Sequence, residues 1–71
     1  MLVYINGEAE RFKDKELSVL RLLEMKNVES PEMVAVQLNG EFVDKKNYAD
    51  TIIRDDDSLE FLYFMGGGAR K

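Results

Sequence analysis

The chain has 71 residues, is 45% hydrophobic and carries a net charge of −4 from 14 acidic and 10 basic side chains. This bounds it to one small globular domain and argues against a nucleic-acid or anionic-membrane surface, favouring instead a partner with a basic docking face. With no cysteine and no histidine, disulfides, thiol nucleophiles, Fe–S clusters, the usual zinc ligand sets and the commonest general base are excluded.

Leu2 to Ile5 reads as a strand, and Asn6-Gly7 is the strongest short hairpin signal, because both central positions of a type I′ turn need φ > 0. The returning strand is Glu8 to Phe12. Its alternation of Ala9 and Arg11 against Glu8, Glu10 and Phe12 suits a half-exposed edge. The same Asn6-Gly7 stops the first apolar run too early for a secretory leader, and no stretch is long enough to span a bilayer. A cytoplasmic protein is the default expectation.

A polar loop, Lys13 to Glu16, leads to the one clear helix. Ser18 is a candidate N-cap for Val19 onward, and Leu17 and Leu22 have the spacing of a hydrophobic staple. Val19, Leu22 and Leu23 make an i, i+3, i+4 stripe that the stem of Lys26 extends. Leu20 and Met25 fall off its centre as boundary residues. Asn27 can take the left-handed conformation that ends a helix.

Ser30-Pro31-Glu32 reads as a loop. In the half-buried strand Val34 to Leu38, Val34, Val36 and Leu38 alternate with Ala35 and Gln37. Asn39-Gly40 is a second hairpin signal, followed by a short strand Glu41 to Val43. Between Asp44 and Asp50 one irregular or 3₁₀ turn is expected, pinned by Tyr48. Ile52 or Ile53 re-enters the core. Asp55-Asp56-Asp57 reads as a solvated acidic turn. As a hard-cation site it lacks further ligands or a glycine at loop spacing.

The last strand, Leu59 to Phe64, places Leu59, Phe61 and Tyr63 on one face and Glu60, Leu62 and Phe64 on the other. Hairpin, helix and further strands make an α+β pattern, with one helix on one sheet face. If the first and last strands are neighbours, the helix-containing connection is long enough for a parallel pair. A single helix covers only one face. Leu62 and Phe64 are therefore expected on the open face, joined by Tyr4 or Leu2 from the first strand. Such an apolar cluster suits docking.

Beyond the strand stands Met65-Gly66-Gly67-Gly68-Ala69-Arg70-Lys71. The expected division is a domain over 1–65 and a flexible glycine-rich tail over 66–71. Glycines without side chains pack no core, and taken alone the tail also fits a frayed terminus.

The chain resembles the ThiS family of sulfur carrier proteins in thiamine biosynthesis, and more distantly the MoaD-type carriers of molybdopterin biosynthesis. The matching residues are Val3-Tyr4-Ile5-Asn6-Gly7-Glu8, Ser18-Val19 with Leu22-Leu23, and Val34-Ala35-Val36-Gln37-Leu38-Asn39-Gly40-Glu41. Val43, Lys45, Tyr48, Asp55, Asp57, Glu60 and Phe64 follow, leading to Gly66-Gly67-Gly68. They cover nearly the whole chain in order.

The resemblance implies a ubiquitin-like β-grasp fold, with one mixed sheet of four to five strands covered by one helix. It implies a carrier rather than an enzyme, with no cofactor bound. A ThiF-type adenylating enzyme uses ATP and Mg²⁺ to activate a C-terminal glycine carboxylate, a sulfur donor converts it to a thiocarboxylate, and a ThiG-type thiazole synthase takes the sulfur. Without cysteine, a side-chain persulfide is impossible, which suits a terminal carboxyl as the sulfur site. The expected thiocarboxylate position is Gly68, with Gly67 second, and the expected partner-binding residues are Leu62, Phe64, Met65 and Tyr4.

Two positions depart from the family pattern. Ala69-Arg70-Lys71 follow Gly68, so either a tail-processing protease removes them, or they are an addition to the natural chain, or the protein has left the pathway. Asp56 stands where the family often has Gly, at a turn position where Asp tolerates φ > 0. The alternatives are a carrier for another sulfur pathway, such as molybdopterin or an amino acid, a ubiquitin-like protein modifier, and a plain β-grasp interaction domain.

Overall fold

The computed structural model describes residues 1–28 and 30–63. Strand β1 (Leu2–Ile5) pairs antiparallel with β2 (Glu8–Arg11), through a turn with φ of 52° at Asn6 and 86° at Gly7. Both left-handed values fit the type I′ turn that the Asn-Gly pair favours. Strand β2 stops one residue short of the expected Phe12, whose side chain packs against the core.

Strand β3 (Leu17–Ser18) runs directly into helix α1 (Val19–Met25). Ser18 is extended and its Oγ accepts from the Arg21 amide at 3.0 Å, satisfying one orphan donor of the first turn. Leu17, Val19, Leu22 and Leu23 are all buried, so staple and stripe share one face. At the other end Asn27 has φ 61°. The Asn27 amide donates to the Glu24 carbonyl and the Val28 amide to that of Leu23, both at 3.1 Å, which is a Schellman closure.

The segment expected as a loop holds a 3₁₀ turn, Pro31–Met33, before strand β4 (Val34–Leu38). Proline at the first position suits this, since its fixed φ is already helical. Strand β5 (Glu41–Phe42) follows through Asn39 and Gly40, with φ of 52° and 89°. A second 3₁₀ turn, Lys45–Asn47, ends at Tyr48 as expected. Strand β6 (Ile52–Ile53) pairs with β3 in a separate two-stranded sheet, which puts Ile53 in the core and leaves Ile52 at the surface.

Strand β7 (Ser58–Tyr63) completes a five-stranded sheet in the order β2-β1-β7-β4-β5. Only the β1–β7 pair is parallel, and the connection between them contains the helix. The core lies between α1 and one sheet face: Val3, Ile5, Val34, Val36, Leu59 and Phe61 meet Val19, Leu22 and Leu23, with Leu17, Tyr48 and Ile53 closing the ends. Burying each such leucine contributes about 1.5–3 kcal/mol. Tyr63 shares the facing of Leu59 and Phe61 but is 54% exposed, although Val34 directly opposite it is buried.

Candidate functional site: the outer sheet face and the end of the last strand

The outer face is built by strict alternation. In β7, Leu59 and Phe61 point into the core, which turns Glu60 and Leu62 outward. Leu62 is 40% exposed and lies opposite Ala35 of β4. Tyr4, 38% exposed, lies opposite Ser58. The two expected docking residues therefore share a face without touching: Leu62 stands four residues further along than Tyr4, about 13 Å at ~3.3 Å per residue.

A third apolar group on this face is Phe42, which is 66% exposed. The register pairs it with Gln37, which in turn pairs with Glu60. Sequence reasoning treated Phe42 only as part of a short strand. The signal was present, since a two-residue Asn39-Gly40 turn fixes Phe42 opposite Gln37, already assigned to the polar face.

The end of β7 is held from both sides. On one side, β1 leaves the sheet at Asn6. The Asn6 amide donates to the Leu59 carbonyl at 2.9 Å, and its side-chain Oδ1 accepts from the Phe61 amide at 2.9 Å. The side chain thus replaces the backbone carbonyl that a longer β1 would have offered. On the other side, β4 pairs as far as Val34 opposite Tyr63. There β5 has already left, and the outward Val34 carbonyl accepts instead from the Tyr48 hydroxyl at 2.7 Å. Tyr48 is buried, and that burial raises its pKa above the ordinary 10.0.

The acidic turn serves the start of β7. Asp55 Oδ1 accepts from the Leu2 amide at 2.7 Å, and Asp57 accepts from the Arg54 amide at 2.8 Å and from Asn39 Nδ2 at 3.0 Å. Asp56 sits at φ 71°, the position where glycine is often found. These carboxylates order backbone, and among the described residues no group of three or more potential ligands could hold a metal ion. Phe64, Met65, Gly66, Gly67 and Gly68, the remaining expected site residues, lie outside the described residues. Among the described residues no helix is long and apolar enough to cross a membrane.

The ThiS family model matches residues 2–68. The chain belongs to the ThiS family. A crystal structure of a thiamine biosynthesis protein (ThiS) from Geobacter metallireducens superposes with a TM-score of 0.85 at 39% identity, covering 96% of this chain and all of that one. A solution structure of a thiamine biosynthesis protein from the same organism gives 0.81 at 38%, covering all of this chain and 92% of that one. The fold is therefore the ubiquitin-like β-grasp.

Two curated relatives are named thiazole synthase. The one from Paramagnetospirillum magneticum is 41% identical over 97% of this chain, and the one from Magnetococcus marinus is 32% identical over 96%. This chain spans only about a fifth of their length, 21% and 20%.

Proposed function

We propose that this ThiS-family chain carries sulfur as a thiocarboxylate on Gly68 for thiazole formation in thiamine biosynthesis. The observation that carries the reading is the extent of the family match, which runs through the glycine run to residue 68 and leaves Ala69-Arg70-Lys71 outside it. Its support is the geometry of the last strand, held by Asn6 on one side and through Val34 by Tyr48 on the other, five residues before Gly68 in the sequence. From Tyr63, five extended residues to Gly68 reach at most about 16–18 Å. That is enough to enter an active site in another protein, while the domain stays outside.

The carrier contributes position, and its partners contribute chemistry. A ThiF-type adenylating enzyme joins the Gly68 carboxylate to the AMP portion of Mg²⁺-bound ATP, with pyrophosphate leaving. Sulfide-level sulfur delivered by a donor then attacks the Gly68 acyl carbon, the acyl–phosphate bond to AMP breaks, AMP leaves, and the thiocarboxylate remains. A ThiG-type thiazole synthase accepts that sulfur, a role suggested by the names of the two longer relatives. Removal of Ala69-Arg70-Lys71 by a protease precedes the first step, because adenylation needs a free glycine carboxylate.

Reconstitution tests this directly. The adenylating enzyme, ATP, Mg²⁺ and a sulfur donor are supplied to a chain ending at Lys71 and to one ending at Gly68. Only the second should consume ATP and gain sulfur. Equal activation of the chain ending at Lys71 contradicts the assignment.

A further inference from the structure

The outer edges of the main sheet are blunted. Edge strand β2 carries Glu8, Glu10 and Arg11, and edge strand β5 is two residues long. The end of β7 is different. The Phe61 amide points toward β1 and is the last to find a partner there, on Asn6 Oδ1. By alternation the Tyr63 N–H faces the same way, beyond the point where β1 has turned off through Asn6-Gly7. Among the described residues nothing pairs with it. Among the described residues, a Cβ built on Gly7 in the turn would meet nothing within 4 Å. The result is a short, uncharged, half-paired edge, with Leu62 exposed on one face and Tyr63 on the other.

We propose that this edge, at Phe61–Tyr63, is a strand-addition site on which an extended segment of the thiazole synthase pairs with the backbone while the tail is in its active site. The proposal rests on the carrier reading above. That reading puts Gly68 inside the partner, so partner backbone lies within about 16–18 Å of Tyr63. Strand addition supplies main-chain hydrogen bonds at an exposed edge, while Leu62 and Tyr63 give the partner a side chain to grip on each face. Thiazole synthase is the committed occupant because chains of that name contain a segment like this one.

The test is amide hydrogen exchange on the chain ending at Gly68, the form the carrier reading requires, alone and with saturating thiazole synthase. Exchange at Tyr63 should slow by about tenfold or more in the complex. Unchanged exchange at Tyr63 in a formed complex overturns the proposal. So does protection that appears only with the adenylating enzyme, or only on raising the concentration of the chain itself. A second measurement compares Tyr63→Pro with Tyr63→Ala. Both lose the ring, but only proline loses the N–H, which has no partner among the described residues. Tyr63→Pro should bind thiazole synthase roughly three- to tenfold more weakly than Tyr63→Ala, and equal affinities contradict the edge. A chain that gains its thiocarboxylate without Tyr63 protection sinks the edge alone. A chain that never gains it sinks the carrier reading and the edge together.

Discussion

The Tyr48 hydroxyl donates to the Val34 carbonyl at 2.7 Å, and Val34 lies directly opposite Tyr63, the last described residue before the tail. One buried hydroxyl therefore braces the strand pair from which the tail departs. Tyr48→Phe leaves that carbonyl unpaired and should cost about 1–3 kcal/mol, read as a lower denaturant midpoint at unchanged slope. Because burial raises the phenol pKa in the folded state, the folded chain holds this proton more tightly than the unfolded chain. Its contribution is complete below the unfolded value near 10 and is lost as pH rises through the folded value. Alkaline unfolding curves should therefore fall less steeply for Tyr48→Phe than for the parent.

Ser18 ends β3 and caps α1 at once, accepting from the Arg21 amide. Replacing it by alanine removes the acceptor but keeps the backbone pairing with Ile52. Thermal unfolding of Ser18→Ala should show a loss of about 1 kcal/mol. Ser18→Asp should keep most of that stability, since aspartate caps as well and suits the positive end of the helix dipole.

Asp56 adopts φ 71° between two aspartates whose carboxylates hold backbone amides. A left-handed residue with a Cβ carries strain that glycine lacks. Asp56→Gly should leave the midpoint of unfolding equal or slightly raised. Asp56→Val, β-branched at the same φ, should lower stability by about 1–2 kcal/mol. Asp57→Ala should cost more than Asp55→Ala, because Asp57 serves two donors, Arg54 N and Asn39 Nδ2, and Asp55 serves one.

Leu62 and Phe42 face outward and are not part of the buried core. Leu62→Asp and Phe42→Asp should each change stability by no more than about 0.5 kcal/mol. Sulfur transfer to the thiazole synthase should nevertheless fall by about fivefold or more, the loss of ~1 kcal/mol of docking contact. Activity at the parent level for both variants would remove the outer face from the account.

The strongest local signals in the sequence carried over to the structure nearly residue for residue. Both Asn-Gly pairs, the Ser18 cap, the Leu17–Leu22 staple and the Asn27 stop depend on backbone chemistry of a few adjacent residues, so neighbours alone specify them. Tyr48 was legible as the one large group in a polar stretch. The β3–β6 sheet was not, because two-residue strands are too short to show a period. Tyr63 shows a different limit. Alternation tells which way a side chain points, whereas its exposure depends on what lies above it. The Asn6–Phe61 bond joins residues far apart in sequence, and only the parallel register of β1 and β7 brings them together. Of the candidate site, the outward facing of Leu62 and Tyr4 was readable from alternation, and the distance between them required the register.

The central claim is a thiocarboxylate on Gly68, and intact-mass spectrometry of the protein isolated from its native cell tests it most directly. The account predicts a species ending at Gly68 whose mass is raised by the exchange of one oxygen for one sulfur, and which reverts on hydrolysis. A protein found only with Ala69-Arg70-Lys71 attached and no sulfur, in cells that are making thiamine, would contradict it.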